Sequence, residues 1–123
     1  MEEGMKIEEK IRFEELELSS CEKMVLGCIY EYLRRNEVAP DLTSIVEMAN
    51  AKFEKDWKVQ TVCTFLTRME KKGLIIIERK RKNSRYVPVL SREAYLKQVF
   101  EEVARVYFNN NMKQLRSFVR KSL

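Results

Sequence analysis

Residues 61–73 have the sequence TVCTFLTRMEKKG, and a basic stretch, ERKRKNSRYVP, follows at residues 78–88. An α-helix over residues 58–72 would divide its side chains between two faces, because successive residues turn by roughly 100°. The apolar face contains Val59, Val62, Phe65, Leu66 and Met69, and the opposite face contains Gln60, Thr64, Thr67 and Lys71, with Thr61, Cys63 and Arg68 between them. Threonine is a weak helix former. Three threonines in one helix therefore indicate a role for their side chains on its outer face.

Two helices are predicted before this one. Residues 18–35 show an apolar stripe at helical spacing, and Ser19 and Glu22 have the spacing of a capping box. A second helix is predicted in the stretch DLTSIVEMANAKFEKD, where either Asp41 or Thr43 can serve as the N-cap. Both helices have the length and the apolar stripe that a small helical core requires.

A β hairpin is predicted after Gly73, which is a natural stop for the third helix. The stretch LIIIERK is rich in β-branched residues and can pair with RYVPV, with a turn near Asn83–Ser84. Pro88 limits the second strand to an edge or to its end. The hairpin tip is predicted to carry Arg79, Lys80, Arg81, Lys82 and Arg85. Two further amphipathic helices are predicted from Ser91 onward.

The order of these elements predicts a mainly α fold with a small β hairpin. Three helices followed by a basic hairpin form a winged helix-turn-helix domain, in which the third helix can enter the major groove of DNA. We therefore expect an acidic N-terminal extension over residues 1–17, a winged helix-turn-helix DNA-binding domain over residues 18–90, and a C-terminal helical dimerisation region over residues 91–123.

The charge of the chain is unevenly distributed. The net charge is +5, yet residues 1–17 contain three cations and seven anions, a local charge of −4. Residues 68–85 contain eight cations and two anions, a local charge of +6. A local cationic cluster indicates a polyanionic partner, and double-stranded DNA is the partner that a winged helix would bind.

Several classes of protein do not fit the sequence. No apolar run approaches the roughly 20 residues of a membrane span, and the acidic N-terminus lacks the apolar segment of a signal peptide. We therefore expect a cytoplasmic protein with no membrane partner. The chain has no histidine, no glycine-rich phosphate loop and no Cys–His or Ser–His pair, so we expect neither an enzyme nor a cofactor. We interpret Cys21, Cys28 and Cys63 as small buried side chains, with a redox or metal pair as the alternative.

The predicted DNA contacts lie on the third helix and on the wing. Gln60 can pair with adenine, threonine methyl groups can meet thymine methyl groups, and Arg68 can reach guanine or phosphate. Cations of the wing can contact phosphates. The predicted DNA-binding residues are Lys58, Gln60, Thr61, Thr64, Thr67, Arg68, Lys71, Arg81, Lys82 and Arg85. The alternative function is a winged-helix protein-interaction module without a specific DNA site.

The two C-terminal helices present more apolar surface than either can bury alone, and a second copy of the chain would cover it. The predicted dimerisation residues are Tyr95, Val99, Phe100, Val103, Tyr107, Leu115, Phe118 and Val119. A homodimer with two-fold symmetry would place two third helices on a palindromic operator. We therefore predict a homodimeric, sequence-specific transcriptional repressor.

Three stretches, LSSCEKMVLGCIY, WKVQTVCTFLTRMEKKGLI and SRYVPVLSREAYLKQ, resemble successive blocks of the penicillinase repressor family. The family pattern is close to T-T-V-x-T-x-L-x-R-L-x-x-K-G-L, followed by a basic wing and Y-x-P-x-x-S-R-E-x-Y. The matching residues are Thr61, Val62, Thr64, Leu66, Arg68, Lys72, Gly73, Leu74, Pro88, Ser91, Arg92, Glu93 and Tyr95, whereas Met69 replaces leucine and Gln60 replaces threonine. The resemblance covers about residues 18–123 and implies a homodimeric winged-helix repressor with a C-terminal helical dimerisation region.

Two groups of family members carry sequence features that indicate their inducing signals, and this chain lacks both features. Copper-responsive members carry paired cysteine motifs near the C-terminus, and this chain has no cysteine after Cys63. Members controlled by antibiotic-sensing membrane proteases share an Asn-Phe cleavage site, and this sequence contains no Asn-Phe dipeptide. The resemblance therefore leaves the inducing partner open between an unidentified inducer and a signalling protease.

Overall fold

The computed structural model describes residues 18–123, and in this range the chain forms five helices and one two-stranded antiparallel sheet. The elements in chain order are α1 (Ser20–Arg35), α2 (Leu42–Phe53), α3 (Val59–Lys71), β1 (Ile75–Glu78), β2 (Arg85–Pro88), α4 (Arg92–Tyr107) and α5 (Met112–Ser122). The predicted fold class, mainly α with a small β hairpin in a winged helix followed by two C-terminal helices, is therefore confirmed. The predicted acidic extension, residues 1–17, lies outside the described residues.

The chain divides into two compact units between Val89 and Leu90. The first unit, residues 18–89, contains α1, α2, α3 and the β hairpin. Residues 90–123 belong to the second unit and contain α4 and α5, which pack against each other. The side chains on the surface of each unit indicate the role of that unit.

The core of the first unit lies between its three helices, and β1 packs against α3. Its fully buried side chains follow the predicted apolar stripes and include Val25, Cys28, Ile29, Ile45, Ala49, Val62, Leu66 and Met69. Burial of one large aliphatic side chain contributes about 1.5–3 kcal/mol, so the buried valine, leucine, isoleucine and methionine residues stabilise the unit. α1 begins with the predicted capping box, in which Ser19 Oγ accepts a hydrogen bond from the backbone N–H of Glu22 at 3.1 Å.

The three cysteines are free and differ in burial. Cys28 lies in the core, and its burial raises the pKa of the thiol. Cys21 and Cys63 are half-buried. The interpretation of the cysteines as buried small side chains therefore holds for Cys28, whereas the other two lie at the edge of the core.

The N-cap of α2 is Asp41, one of the two predicted candidates. Its Oδ1 atom accepts a hydrogen bond from the backbone N–H of Ser44 at 2.9 Å. Thr43, the other candidate, lies inside the first turn and is exposed. The hydrogen bonds from Ser44 hold the pKa of the Asp41 carboxyl below its ordinary value.

Replacing Asp41 with alanine should lower the free energy of unfolding by about 1 kcal/mol, whereas Asp41→Asn should retain most of the cap. Because the pKa of Asp41 is lowered in the folded state, its charge stabilises the fold above the unfolded pKa of about 3.9. That contribution is lost as the pH falls through the folded pKa. Urea unfolding near neutral pH and in acid should therefore show a smaller acid-induced loss for Asp41→Asn than for the wild type. Equal losses would contradict a stabilising carboxylate.

The third helix differs from its prediction at its first turn. Lys58 is the N-cap, so α3 begins at Val59. Val59 was predicted on the apolar face but is 52% exposed. Helical side chains point towards the N-terminus, so a side chain in the first turn projects beyond the core that Val62 contacts one turn later. Gly73 ends the helix as predicted, with φ +81°, a left-handed conformation that glycine adopts without strain.

The β hairpin has its register fixed by four pairs, from Ile75 opposite Pro88 to Glu78 opposite Arg85. Pro88 is the last residue of β2, as predicted. Arg85 was predicted at the tip, but it is the first residue of β2. The connecting loop therefore comprises residues 79–84 and carries Arg79, Lys80, Arg81 and Lys82.

Asparagines join the two helices of the second unit. Asn109 and Asn110 adopt positive φ angles of 54° and 62°, a conformation that asparagine tolerates better than most residues. Asn111 then caps α5, because its Oδ1 atom accepts a hydrogen bond from the backbone N–H of Gln114 at 3.1 Å. Phe108 and Phe118 bring their ring centroids to 5.8 Å across the resulting helical hairpin.

Candidate nucleic-acid interface

The outer face of α3 is polar and accessible. Its exposed side chains are Gln60, Thr64, Thr67, Arg68 and Lys71, and Thr61 is half-buried. Thr64 Oγ1 donates a hydrogen bond to the backbone carbonyl of Gln60 at 3.0 Å. This bond satisfies the hydroxyl inside the helix, so the methyl group of Thr64 is the part that is left for an apolar contact. The predicted helix residues thus lie together on one accessible surface.

The N-terminus of α3 lacks a side-chain cap. Lys58 occupies the N-cap position in an extended conformation, and its side chain makes no capping hydrogen bond. The first N–H groups of a helix carry a partial positive charge and favour anions such as phosphate. Lys58 adds an exposed ammonium group at the same end. Both features favour the binding of an anion at this end of α3.

The loop of the β hairpin supplies a second group of cations. Lys80, Arg81 and Lys82 are exposed. Within residues 18–123, Arg81 and Lys82 form no ion pair or side-chain hydrogen bond. Cations without an intramolecular partner can contact phosphate without first breaking an ion pair. Of the predicted wing residues, these two are placed best for that role.

Arg79, by contrast, is already paired. Its Nη1 atom lies 3.2 Å from Oε2 of Glu70, in the last turn of α3. This hydrogen bond raises the pKa of the Arg79 guanidinium. Both groups are accessible to solvent, so water screens the pair and its contribution to stability is small. Its effect is to join the base of the wing to α3 and to place one carboxylate beside the cationic surface.

Arg85 has a structural partner. It is half-buried, and its Nη1 atom donates a hydrogen bond to the carbonyl oxygen of Ala39 at 2.9 Å. The backbone N–H of the next residue, Tyr86, donates to the carbonyl of Pro40 at 3.0 Å. These two bonds attach β2 to the segment that precedes α2. Contact between Arg85 and DNA stays a prediction. In the structure, the hydrogen bond from Arg85 to Ala39 attaches the wing to the rest of the domain.

Two residues with a structural role at the interface were not singled out from the sequence. Asn50 Oδ1 accepts a hydrogen bond from the backbone N–H of Trp57 at 2.9 Å, and Asn50 Nδ2 donates to the carbonyl of Trp57 at 3.0 Å. The indole of Trp57 lies edge-on to Phe65, with ring centroids 5.1 Å apart. The available signals were an asparagine near the end of a helix and the single tryptophan of the chain. Neither signal identifies the residue that Asn50 or Trp57 contacts unless the fold is known.

The predicted dimerisation residues divide into three groups by exposure. Phe100, Tyr107, Phe118 and Val119 are exposed, together with Val106 and Leu123, which the prediction did not include. Tyr95, Val99 and Val103 are half-buried. Leu115 differs from the expectation, because it is only 5% exposed and offers little surface to a second copy of the chain. An apolar surface is therefore present on α4 and α5, and Leu115 contributes little to it.

Residues 18–123 contain neither a metal-binding cluster nor a membrane-spanning helix. This part of the chain contains no group of three or more histidine, cysteine, aspartate or glutamate residues that could hold a metal ion. It also contains no helix that is long and apolar enough to cross a membrane.

Comparison with known proteins agrees with this geometry. No curated protein matches the chain significantly. The model of the penicillinase repressor family matches residues 18–123. This match includes α3 with its exposed polar face, the basic wing, and both C-terminal helices. The chain therefore belongs to the penicillinase repressor family, a family of DNA-binding transcriptional repressors.

Proposed function

We propose that this protein binds a palindromic operator as a homodimer and represses transcription sequence-specifically. The observation that carries the proposal is the exposed polar face of α3, followed in the same unit by a wing whose Arg81 and Lys82 have no side-chain partner among residues 18–123. Neither a cofactor nor an enzymatic activity is part of the proposal. The protein would act in the cytoplasm, where it meets its DNA.

The proposed complex assigns different contacts to the two elements. The N-terminal part of a recognition helix contacts base edges in the major groove, which assigns Gln60 and Thr61 to bases and Lys58 to the adjacent backbone. Thr64 and Arg68 follow on the same face of α3. Contacts from the wing to phosphates fix orientation and carry no sequence information. Base reading therefore belongs to α3, and non-specific affinity belongs largely to the wing.

Selection of bound duplexes from random DNA with the full chain tests this proposal. We expect enrichment of a palindrome whose half-sites are about one helical turn, or a multiple of it, apart. Alanine at Gln60, Thr61, Thr64 or Arg68 should then cost about 1–3 kcal/mol at a single operator position wherever the side chain makes a paired base contact. If all four variants lose affinity equally for the operator and for random DNA, α3 does not read bases.

The salt dependence of DNA binding distinguishes the proposed repressor from the alternative, a winged-helix module that binds a protein. Phosphate contacts release counterions, so the logarithm of the DNA-binding constant falls linearly with the logarithm of salt concentration. No enrichment of any sequence, together with DNA binding that salt barely changes, would favour the protein-interaction module.

Replacing Arg81 and Lys82 together with alanine should weaken binding to all DNA sequences about equally. It should also reduce the salt slope by about 0.9 for each phosphate contact that is lost. A matched control replaces Lys97 and Lys113, two exposed lysines of the second unit, with alanine and so removes the same charge. The control should leave the slope nearer that of the wild type. Equal effects of the two double variants would show that net charge, rather than the wing, determines affinity.

A further inference from the structure

We infer that Asn50 is a positioning residue for operator specificity, because it fixes the point at which the chain enters α3. The inference rests on the proposed function and names a residue outside the DNA-contacting surface. Asn50 lies in the last turn of α2, and its amide group makes two hydrogen bonds to the backbone of Trp57, at 2.9 and 3.0 Å. No DNA contact is assigned to Asn50 itself.

The connection between α2 and α3 is short and turns sharply. The C-cap of α2 is Glu54, which adopts a left-handed conformation with φ 53°. The backbone N–H of Lys55 then donates to the carbonyl of Asn50 at 3.1 Å. Asn50 therefore holds the connection at two points, through its own carbonyl at Lys55 and through its side chain at Trp57. A turn held at both ends has little freedom to change its direction.

Trp57 transmits this constraint to the recognition helix. Its ring packs edge-on against Phe65, with an interplanar angle of 71°, so it contacts the middle of α3 as well as preceding its start. Lys55 Nζ lies 5.8 Å from the centroid of the same ring. The two hydrogen bonds from the Asn50 side chain hold the backbone of Trp57 in place. The contact between Trp57 and Phe65 then links the position of Trp57 to α3.

The start of α3 depends on this arrangement because it has no conventional cap. Lys58 makes no capping hydrogen bond through its side chain, and it directly follows Trp57 in the chain. Gln60 and Thr61 then lie in the first turn. A direct hydrogen bond tolerates donor–acceptor distances of only about 2.7–3.2 Å, so a shift of roughly 1 Å at this end would break base contacts. Long lysine and arginine side chains can still follow the phosphates after such a shift. Loss of Asn50 should therefore affect specificity more than general affinity.

The test measures binding to two probes: the duplex enriched by the wild-type chain from random DNA, and a pool of random duplexes of the same length. Asn50→Ala removes both hydrogen bonds to Trp57. Asn50→Asp keeps the shape and the acceptor but cannot donate to the Trp57 carbonyl, and it serves if the alanine variant does not fold. Both variants should lower the ratio of the two affinities by about tenfold or more, with less than about threefold change for random DNA.

A destabilised control separates positioning from folding. Val25→Ala removes buried volume from α1, far along the chain from the connection, so it should lower stability while leaving the affinity ratio of the folded protein unchanged. Trp57 is the only tryptophan, so its fluorescence reports directly on the connection. Asn50→Ala should increase quenching of this fluorescence by acrylamide, whereas Val25→Ala should not.

The outcomes separate the inference from the proposed function. If the wild type does not prefer the enriched duplex to random DNA, the proposed function fails and the inference fails with it. If the wild type shows the preference and both Asn50 variants keep the affinity ratio within about twofold, only the inference is overturned. A fall in the ratio for Val25→Ala that equals that of Asn50→Ala would also overturn it, because the effect would then reflect stability alone.

Discussion

Replacing Lys72 with methionine should lower the free energy of unfolding by about 3 kcal/mol, because it leaves a buried carboxylate without its cation. Lys72 Nζ lies 2.7 Å from Oε1 of Glu22, whose side chain is 2% exposed. The same carboxylate oxygen accepts a hydrogen bond from the backbone N–H of Ser19 at 3.1 Å. The value is at the lower end for a buried pair, because Lys72 itself is 31% exposed.

The reverse change should cost less. Glu22→Gln leaves an ammonium group on a flexible stem that can turn towards water, so we expect a loss of about 1 kcal/mol. The double variant, Glu22→Gln with Lys72→Met, should be more stable than Lys72→Met alone, because no carboxylate is then buried. Lys71→Met is the matched control, since Lys71 is an exposed neighbour, and it should change stability by at most about 0.5 kcal/mol.

Urea unfolding of the four variants near neutral pH measures these differences. A loss for Lys72→Met no larger than that for Lys71→Met would show that the pair contributes nothing to stability. A double variant less stable than Lys72→Met would show that Glu22 is satisfied without the lysine. Either result would show that the ion pair between Glu22 and Lys72 does not stabilise the contact between the start of α1 and the end of α3.

Local chemistry explains why so much of the fold could be predicted. The capping box of α1 needs only Ser19 and Glu22, three residues apart, and both of its hydrogen bonds are present. Gly73 stops α3 because the backbone there has a positive φ, and the requirement for glycine is visible in the sequence. The apolar stripes of α1 and α3 follow the helical period. Each of these features depends on residues close in the chain.

Two of the features that were missed depend on residues distant in the chain. Glu22 meets Lys72 across a separation of 50 residues, so its sequence neighbours reveal only its role in the cap. Arg85 meets the carbonyl of Ala39 across 46 residues. A charge count therefore assigns Arg85 to the wing surface, although the fold also gives it a partner on the domain. Long-range pairing decides which cations are available to a ligand, and composition does not contain that information.

The exposure of the candidate DNA-contacting side chains of α3 was predicted better than that of the candidate dimerisation side chains, for a similar reason. The exposed side of α3 follows from its own period once the apolar side is known. In the second unit, apolar residues cover a broad face of α4 and one side of α5, and the sequence does not say which of them the two helices bury against each other. The structure buries Leu115 and leaves Tyr107 exposed.

The apolar surface of the second unit should be the site of dimerisation, and Tyr107→Asp should therefore produce a monomer. Tyr107 is 77% exposed, so the substitution removes no interior contact and introduces a charge that a dimer would have to bury. Phe118 is a less suitable target, because its ring also packs on Phe108 within the same chain. Gln114→Asp is a matched control, since it adds the same charge at another exposed position of this unit.

Loss of the dimer should weaken operator binding by about a hundredfold or more, because the second winged helix then no longer binds at high effective concentration. Light scattering at micromolar concentration should give a dimer for the wild type and for Gln114→Asp, and a monomer for Tyr107→Asp. Binding of the Tyr107→Asp monomer to a single half-site should stay close to the intrinsic affinity of one winged helix, since α3 and the wing are unchanged. A wild-type chain that is monomeric at this concentration and binds one half-site as tightly as the full operator would contradict the dimer.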